Sequence, residues 1–130
     1  MEFGIRTNSR SELQDITGQV QKAVTESGIK DGICVVYTPH TTAGITINEG
    51  ADPDVVKDIL KQLDSVIPWN AGYAHMEGNS AAHIKSSLFG CSEQLLIENR
   101  KIGLGTWQKI YFCEFDGPRS RKVWVKVLGK

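Results

Sequence analysis

Apolar residues recur along the chain with two different periods, and the switches between them mark its elements. Residues 2–8 read as a short first strand. Ser11-Glu12-Leu13-Gln14 has the form of a capping box and predicts the start of a helix. Leu13, Ile16, Val20, Ala23 and Val24 then fall at helical spacing, and Gly28 is placed to end that helix in a left-handed conformation. Ile33 to Thr38 is a continuous apolar run rich in β-branched residues, which predicts a strand buried on both faces and stopped by Pro39. Residues 44–49 alternate, with Ile45, Ile47 and Glu49 on one face and Thr46 and Asn48 on the other.

Asp52-Pro53 predicts a second helix, with an acceptor at the N-cap and proline at the first helical position. Its apolar face is Val55, Val56, Ile59, Leu60, Leu63 and Val66, and Pro68 closes it. Residues 69–78 read as irregular. Asn79 or Ser80 caps a short helix to about Leu88, ended by Gly90. Ala81, Ile84 and Leu88 form its expected core stripe, with Ser80, His83 and Ser87 about 100° around.

Residues 92–98, 107–115 and 121–128 read as three further strands. In the middle one, Trp107, Lys109, Tyr111, Cys113 and Phe115 share a face opposite Gln108, Ile110, Phe112, Glu114 and Asp116. Asp116-Gly117-Pro118-Arg119 is a turn signal, read as a hairpin between the last two strands. Trp107 and Trp124 are expected to pack in cores. Strands outnumber helices without regular alternation, which points to α+β rather than a doubly wound sheet, in a single domain over residues 1–130.

Composition narrows the function classes. Fifteen basic residues balance fifteen acidic ones, which argues against a general nucleic-acid binder. No apolar run approaches the roughly 20 residues that span a bilayer, and no signal-peptide h-region follows Met1. The expectation is a soluble, cytoplasmic protein that acts on no membrane. Cys34, Cys91 and Cys113 are far apart, without a C-x-x-C pair; Cys34 and Cys113 read as buried free thiols.

Chemistry-bearing residues cluster in a few segments. His40, His75 and His83 lie beside small or polar residues, and three neutral imidazoles can hold a divalent metal with a position left open. Asn79 and Ser80 offer backbone N–H groups at a helix start, Lys85 follows, Gly103-x-Gly105-Thr106 resembles a backbone nest, and Arg119 and Arg121 supply guanidinium donors for phosphate. Glu49, Asp52, Asp54, Glu77, Glu114 and Asp116 are candidate ligands for Mg, and Glu49 or Glu77 could instead orient a histidine as a general base. Asp52 and Asp54 are explained by helix capping and the helix dipole. Glu114 is not so explained, because it interrupts an apolar strand. Nucleophile-elbow, Walker A and dinucleotide-binding signatures are absent.

Pro39-His40-Thr41-Thr42-Ala43-Gly44-Ile45, Asn48-Glu49, Asp52-Pro53-Asp54-Val55, His75-Met76-Glu77-Gly78-Asn79-Ser80, Ala82-His83-Ile84-Lys85, Gly103-Leu104-Gly105-Thr106-Trp107-Gln108 and Glu114-Phe115-Asp116-Gly117-Pro118-Arg119 follow one another in the order of a known family. Through them the chain resembles the YjbQ-like family, whose label is secondary thiamine-phosphate synthase. The resemblance implies a compact α+β subunit with a largely antiparallel sheet and packed helices, assembled as a homotrimer with the polar site near a subunit interface. It also implies joining of hydroxymethylpyrimidine diphosphate to thiazole phosphate with release of diphosphate. Read with the residues, it puts His40, His83, Glu49 and Gln108 in catalytic roles. Thr41, Thr42, Asn79, Ser80, Lys85, Gly105, Thr106, Trp107 and Arg119 are placed on a phosphorylated metabolite, and His40, His75 and His83 on a Zn or Mg ion. The same inventory fits a metal-assisted hydrolase of a phosphorylated metabolite, or a metabolite-binding trimer without catalysis.

Overall fold

The computed structural model describes residues 1–129. In chain order its elements are β1 (Glu2–Arg6), β2 (Glu12–Asp15), α1 (Thr17–Ser27), β3 (Gly32–Tyr37), β4 (Ala43–Glu49), α2 (Pro53–Val66), α3 (Ser80–Phe89), β5 (Ser92–Glu98), β6 (Lys101–Ile102), β7 (Gln108–Glu114) and β8 (Ser120–Gly129). Two antiparallel sheets divide the strands: one of order β1-β8-β3-β5-β6, the other β2-β7-β4. The chain is a single α+β domain.

The alternation along β7 builds two cores. Ile110 and Phe112 enter the main core with Ile5, Ile16, Val20, Val24, Cys34, Val36, Ile45, Leu95, Ile97, Val123 and Val125, between the sheets and α1. Tyr111, Cys113 and Phe115 point the other way, and Ala82 packs on them with partly buried Leu13, Val56, Leu63, Trp69 and Phe89. The three-stranded sheet is therefore the middle layer, covered by α2 and α3 on its second face. Burial raises the Cys34 thiol to about 11 and pushes Cys113 up further, as expected of free thiols held in apolar surroundings.

Several sequence expectations are corrected. Ser11-Glu12-Leu13-Gln14 does not open a helix: Glu12 begins β2, and its carboxylate accepts from the amides of Asn8 and Ser9, closing the preceding turn. The helix begins later, at Thr17, whose amide donates to Asp15 Oδ1 at 2.9 Å, and it ends at Gly28 with φ 71° as expected. β3 is buried on one face only, through Cys34 and Val36, while Ile33 and Tyr37 are exposed. On α3 the buried residues are Ala81, Ala82, Lys85 and Ser86; Ile84 and Leu88 face outward. Trp107 and Trp124 are 63% and 44% exposed, Trp124 stacking on Tyr37. The stretch 116–119 is not a hairpin, because β7 and β8 belong to different sheets and the chain crosses between them there.

That crossing is one of three at the same end of the domain, with β1 to β2 and β3 to β4. They lie so close that a side chain on Gly117 would meet the Ser9 carbonyl oxygen at 2.3 Å. The C-terminal turn of α3 is tied to the same end, since Ser86 Oγ donates to the Ala43 carbonyl at 2.5 Å and the Ile45 amide to the Gly90 carbonyl at 3.1 Å.

Candidate functional site

The three crossings are joined by a buried polar network centred on Glu114, which is fully buried. Arg121 Nε donates to Glu114 Oε1 at 2.8 Å, and Arg121 Nη2 donates to Glu114 Oε2 and, at 2.8 Å, to Thr42 Oγ1. Thr7 Oγ1 donates to Glu114 Oε1 at 2.7 Å and accepts from the Arg119 amide at 2.8 Å. Burial alone would raise the Glu114 carboxyl. Its hydrogen bonds from Arg121, the Asp116 amide and Thr7, with the Arg121 charge, hold it below its usual range.

Above this network lies an open cleft of about 460 Å³, lined by Pro39, His40, Thr41, Thr42, His75, Glu77, Asn79, His83, Asp116, Arg119 and Arg121. Each segment contributes for a local reason. Pro39 ends the β3 ladder, and Thr38 and His40 anchor to β8 instead: Thr38 Oγ1 donates to the Lys122 carbonyl at 3.1 Å, and the Lys122 amide donates to His40 Nε2 at 2.9 Å. Asn79 caps α3 by position but not by side chain; its Nδ2 donates to Asp116 Oδ2 at 2.9 Å. Among the described residues its Oδ1 is the buried side-chain polar atom without a hydrogen-bond partner. His75 and His83 meet edge to face with ring centroids 5.5 Å apart.

The positive charges of the cleft are already compensated. Arg119 donates to Asp116 Oδ2 at 3.0 Å, and Arg121 belongs to Glu114. His40 is held below its ordinary value by burial, then by the Arg121 charge, with Lys122 and Arg119 adding to the effect and Glu114 opposing it. The arginines therefore act as fixed donors in place, and free positive potential comes from the N-terminus of α3. There the Ala82 and His83 amides bond to the Asn79 carbonyl, while Asn79 makes no side-chain cap.

The structure thus brings His40, Thr41, Thr42, His75, Asn79, His83 and Arg119 to one cleft, and leaves other candidates outside its lining. Lys85 is buried and its Nζ lies 2.5 Å from Asp64 Oδ1, so it faces α2 rather than a ligand. Ser80 lines a separate apolar depression with Tyr73, Ala74 and Ile84, which also borders His75 and His83. Glu49 and Gln108 pair at the opposite end of the β4–β7 ladder. Gln108 Oε1 accepts from the Gly105 amide at 2.8 Å, so the predicted nest at Gly105 and Thr106 closes on its own side chain, beside exposed Trp107.

A three-histidine metal set is not assembled in this geometry. Among the described residues no three His, Cys, Asp or Glu side chains stand close enough to hold an ion, and His40 Nε2 is committed to a backbone amide. Thr7 is the network residue that sequence reasoning missed, and one threonine after a strand carries no signal. Arg121, Glu114 and Asp116 were visible as candidates but not as a set.

Comparison with known proteins agrees with this architecture. The family model described as UPF0047 protein YjbQ-like matches residues 1–130. The UPF0047 protein MJ1081 of Methanocaldococcus jannaschii is 57% identical, over 98% of this chain and 93% of its own length. The UPF0047 protein YugU of Bacillus subtilis is 55% identical over 96% of each. A crystal structure of an uncharacterized conserved YjbQ/UPF0047 protein from Clostridium acetobutylicum superposes with a TM-score of 0.97 at 60% identity, covering 98% of this chain and 99% of that one. A protein of unknown function from Sulfolobus solfataricus gives 0.96 at 34% identity, covering 100% and 96%. The chain belongs to the UPF0047 YjbQ-like family.

Proposed function

We propose that the cleft binds a small phosphorylated metabolite and carries out group transfer on it: joining hydroxymethylpyrimidine diphosphate to thiazole phosphate with release of diphosphate. The observation that carries the reading is the convergence of His40, His75, His83, Arg119 and Arg121 with the start of α3, which has no side-chain cap, around one cleft of about 460 Å³. In this reaction the bond between the pyrimidine methylene carbon and the diphosphate oxygen breaks with its electron pair on oxygen, and the thiazole nitrogen bonds to the carbon. The protein's task is to receive the departing negative charge and exclude water. Arg119, locked on Asp116, and the α3 N-terminus are suited to the diphosphate, and His83 and His75 to proton transfer at the leaving oxygen. No step is routed through a metal, because the three-histidine set does not close here.

The reading includes assembly of the chain as a homotrimer. Ile33, Tyr37, Leu96, Trp124 and Leu128 form an exposed apolar face on the five-stranded sheet, and α2 buries none of its residues fully. These uncovered apolar side chains, with Gln94 and Lys126 among them, mark an association face, and the occupant we assign is a second copy of the chain. Light scattering after size exclusion is expected to give three chains per particle; a monomer contradicts it.

The activity test is diphosphate release with both precursors, each precursor alone, and a His83→Ala control. Release that needs both precursors and is lost in the variant is the expected result. Release of phosphate from one compound alone would replace transfer by hydrolysis, and tight binding without turnover would make the protein a metabolite binder.

A further inference from the structure

Lys122 lies just beyond the β3–β8 ladder, which ends at the Tyr37–Trp124 pair. The chain after Tyr37 cannot continue that ladder, because Pro39 has no N–H and the segment turns toward β4. Two side chains take the place of the missing backbone partners: Thr38 donates to the Lys122 carbonyl, and His40 Nε2 receives the Lys122 amide at 2.9 Å.

That second bond has one possible polarity. A backbone amide nitrogen donates and does not accept, so His40 Nε2 must present a lone pair. A neutral imidazole with an unprotonated Nε2 carries its proton on Nδ1. The opposite tautomer, and the imidazolium, would set a ring N–H against the Lys122 N–H and lose the bond. The Arg121 charge, with smaller contributions from Lys122 and Arg119, also disfavours the imidazolium, with Glu114 opposing. Among the described residues Nδ1 makes no hydrogen bond, and it is not among the buried atoms left without a partner, so it remains open beside the cleft that His40 lines.

We propose that His40 works as a fixed neutral hydrogen-bond donor, offering Nδ1–H to a phosphoryl oxygen of the bound ligand, and serves neither as the general base nor as a metal ligand. The proposal rests on the phosphorylated-ligand reading above and sharpens it. It divides the three histidines by role, leaving proton transfer to the His75–His83 pair, and it gives the physical reason why His40 cannot complete a three-histidine ion site. His40 then resembles an oxyanion-hole donor, aimed in advance at developing negative charge.

The test begins on the free full-length protein with ¹⁵N-labelled histidine. Long-range proton–nitrogen correlation spectra are assigned by the signals lost in His40→Asn. The expected result is a protonated Nδ1 and an unprotonated Nε2 at neutral pH; a protonated Nε2 overturns the proposal by itself. Calorimetry with pyrophosphate follows. His40→Ala is expected to weaken binding by about tenfold or more, the scale of a hydrogen bond to a charged group. His40→Asn, whose amide nitrogen lies near the position of Nδ1, is expected to recover most of that loss. Alanine binding as well as wild type, or asparagine no better than alanine, overturns the donor role. Failure of the wild type to bind pyrophosphate overturns the underlying ligand reading instead, and the spectra distinguish the two failures.

Discussion

The two ends of the β4–β7 ladder carry similar residue types and very different structures. At one end Ala43 faces Glu114; at the other Glu49 faces Gln108, six residues along, or about 20 Å. Around Glu114 the polar atoms are buried and bonded across more than a hundred residues of sequence, Thr7 to Glu114 to Arg121 to Thr42. Around Glu49 and Gln108 the side-chain bonds are fewer and mostly local: the Glu49 amide to Asn48 Oδ1, Gln108 to Gly105 three residues away, and one longer link from Tyr111 Oη to the Glu49 carbonyl at 3.0 Å. Polar sequence alone does not distinguish the two ends. What distinguishes them is that three crossings between the sheets converge at one end, against the β6 to β7 crossing alone at the other, so that more backbone without ladder partners is satisfied by side chains there, and a cleft opens above the groups that do so.

The comparison is broken most severely by removing Glu114. Glu114→Ala leaves a buried guanidinium without its carboxylate and is expected to cost about 3–5 kcal/mol in urea unfolding. Glu49→Ala, at the other end, is expected to stay within about 0.5 kcal/mol of wild type. Activity should divide the ends in the same way. His83→Ala is expected to lower diphosphate release by about a hundredfold or more, while Gln108→Ala leaves it within about threefold.

Acid sharpens the contrast further. Glu114 is held below its ordinary 4.5 in the folded protein, so its contribution to stability is complete above that pH and is lost as pH falls through the folded value. His40, also lowered from 6.5, adds destabilisation as pH falls below that value, because the unfolded chain takes up its proton first. Unfolding free energy followed from neutral pH downward should fall less steeply in Glu114→Gln than in wild type. A small effect is also expected at Lys85. Its partner Asp64 has a side chain 65% exposed, so Lys85→Met should change stability by about 1 kcal/mol or less and leave pyrophosphate affinity unaltered.

Much of this was legible in the sequence. The α2 start at Asp52-Pro53, the helix end at Gly28 and the two faces of β7 follow from capping chemistry, left-handed glycine and period-two alternation, which are local. The histidine-bearing segments were legible as candidates, and the fold places them on one cleft. What was not legible is what depends on distant partners. Ser11 and Gln14 have the spacing of a capping box, but the segment opens a strand, and the Glu12 carboxylate serves the turn before it. Asp116-Gly117-Pro118-Arg119 has hairpin chemistry, but the next strand finds its partners in the other sheet. Lys85 reads as a phosphate ligand until Asp64, on another helix, is seen beside it. On α3 the small residues Ala82 and Ser86 face inward because the helix lies close against β4, whereas a hydrophobicity count favours Ile84 and Leu88.

The central claim is that the crossover end, and not the Glu49–Gln108 end, receives the phosphorylated ligand. The most direct measurement is a titration of the ¹⁵N-labelled protein with pyrophosphate, followed by amide and side-chain chemical shifts. Perturbations centred on His40, Asn79, His83 and Arg119, with Glu49, Trp107 and Gln108 unmoved, are the predicted result. Perturbations centred on Trp107 and Gln108, or none at saturating pyrophosphate, would contradict it.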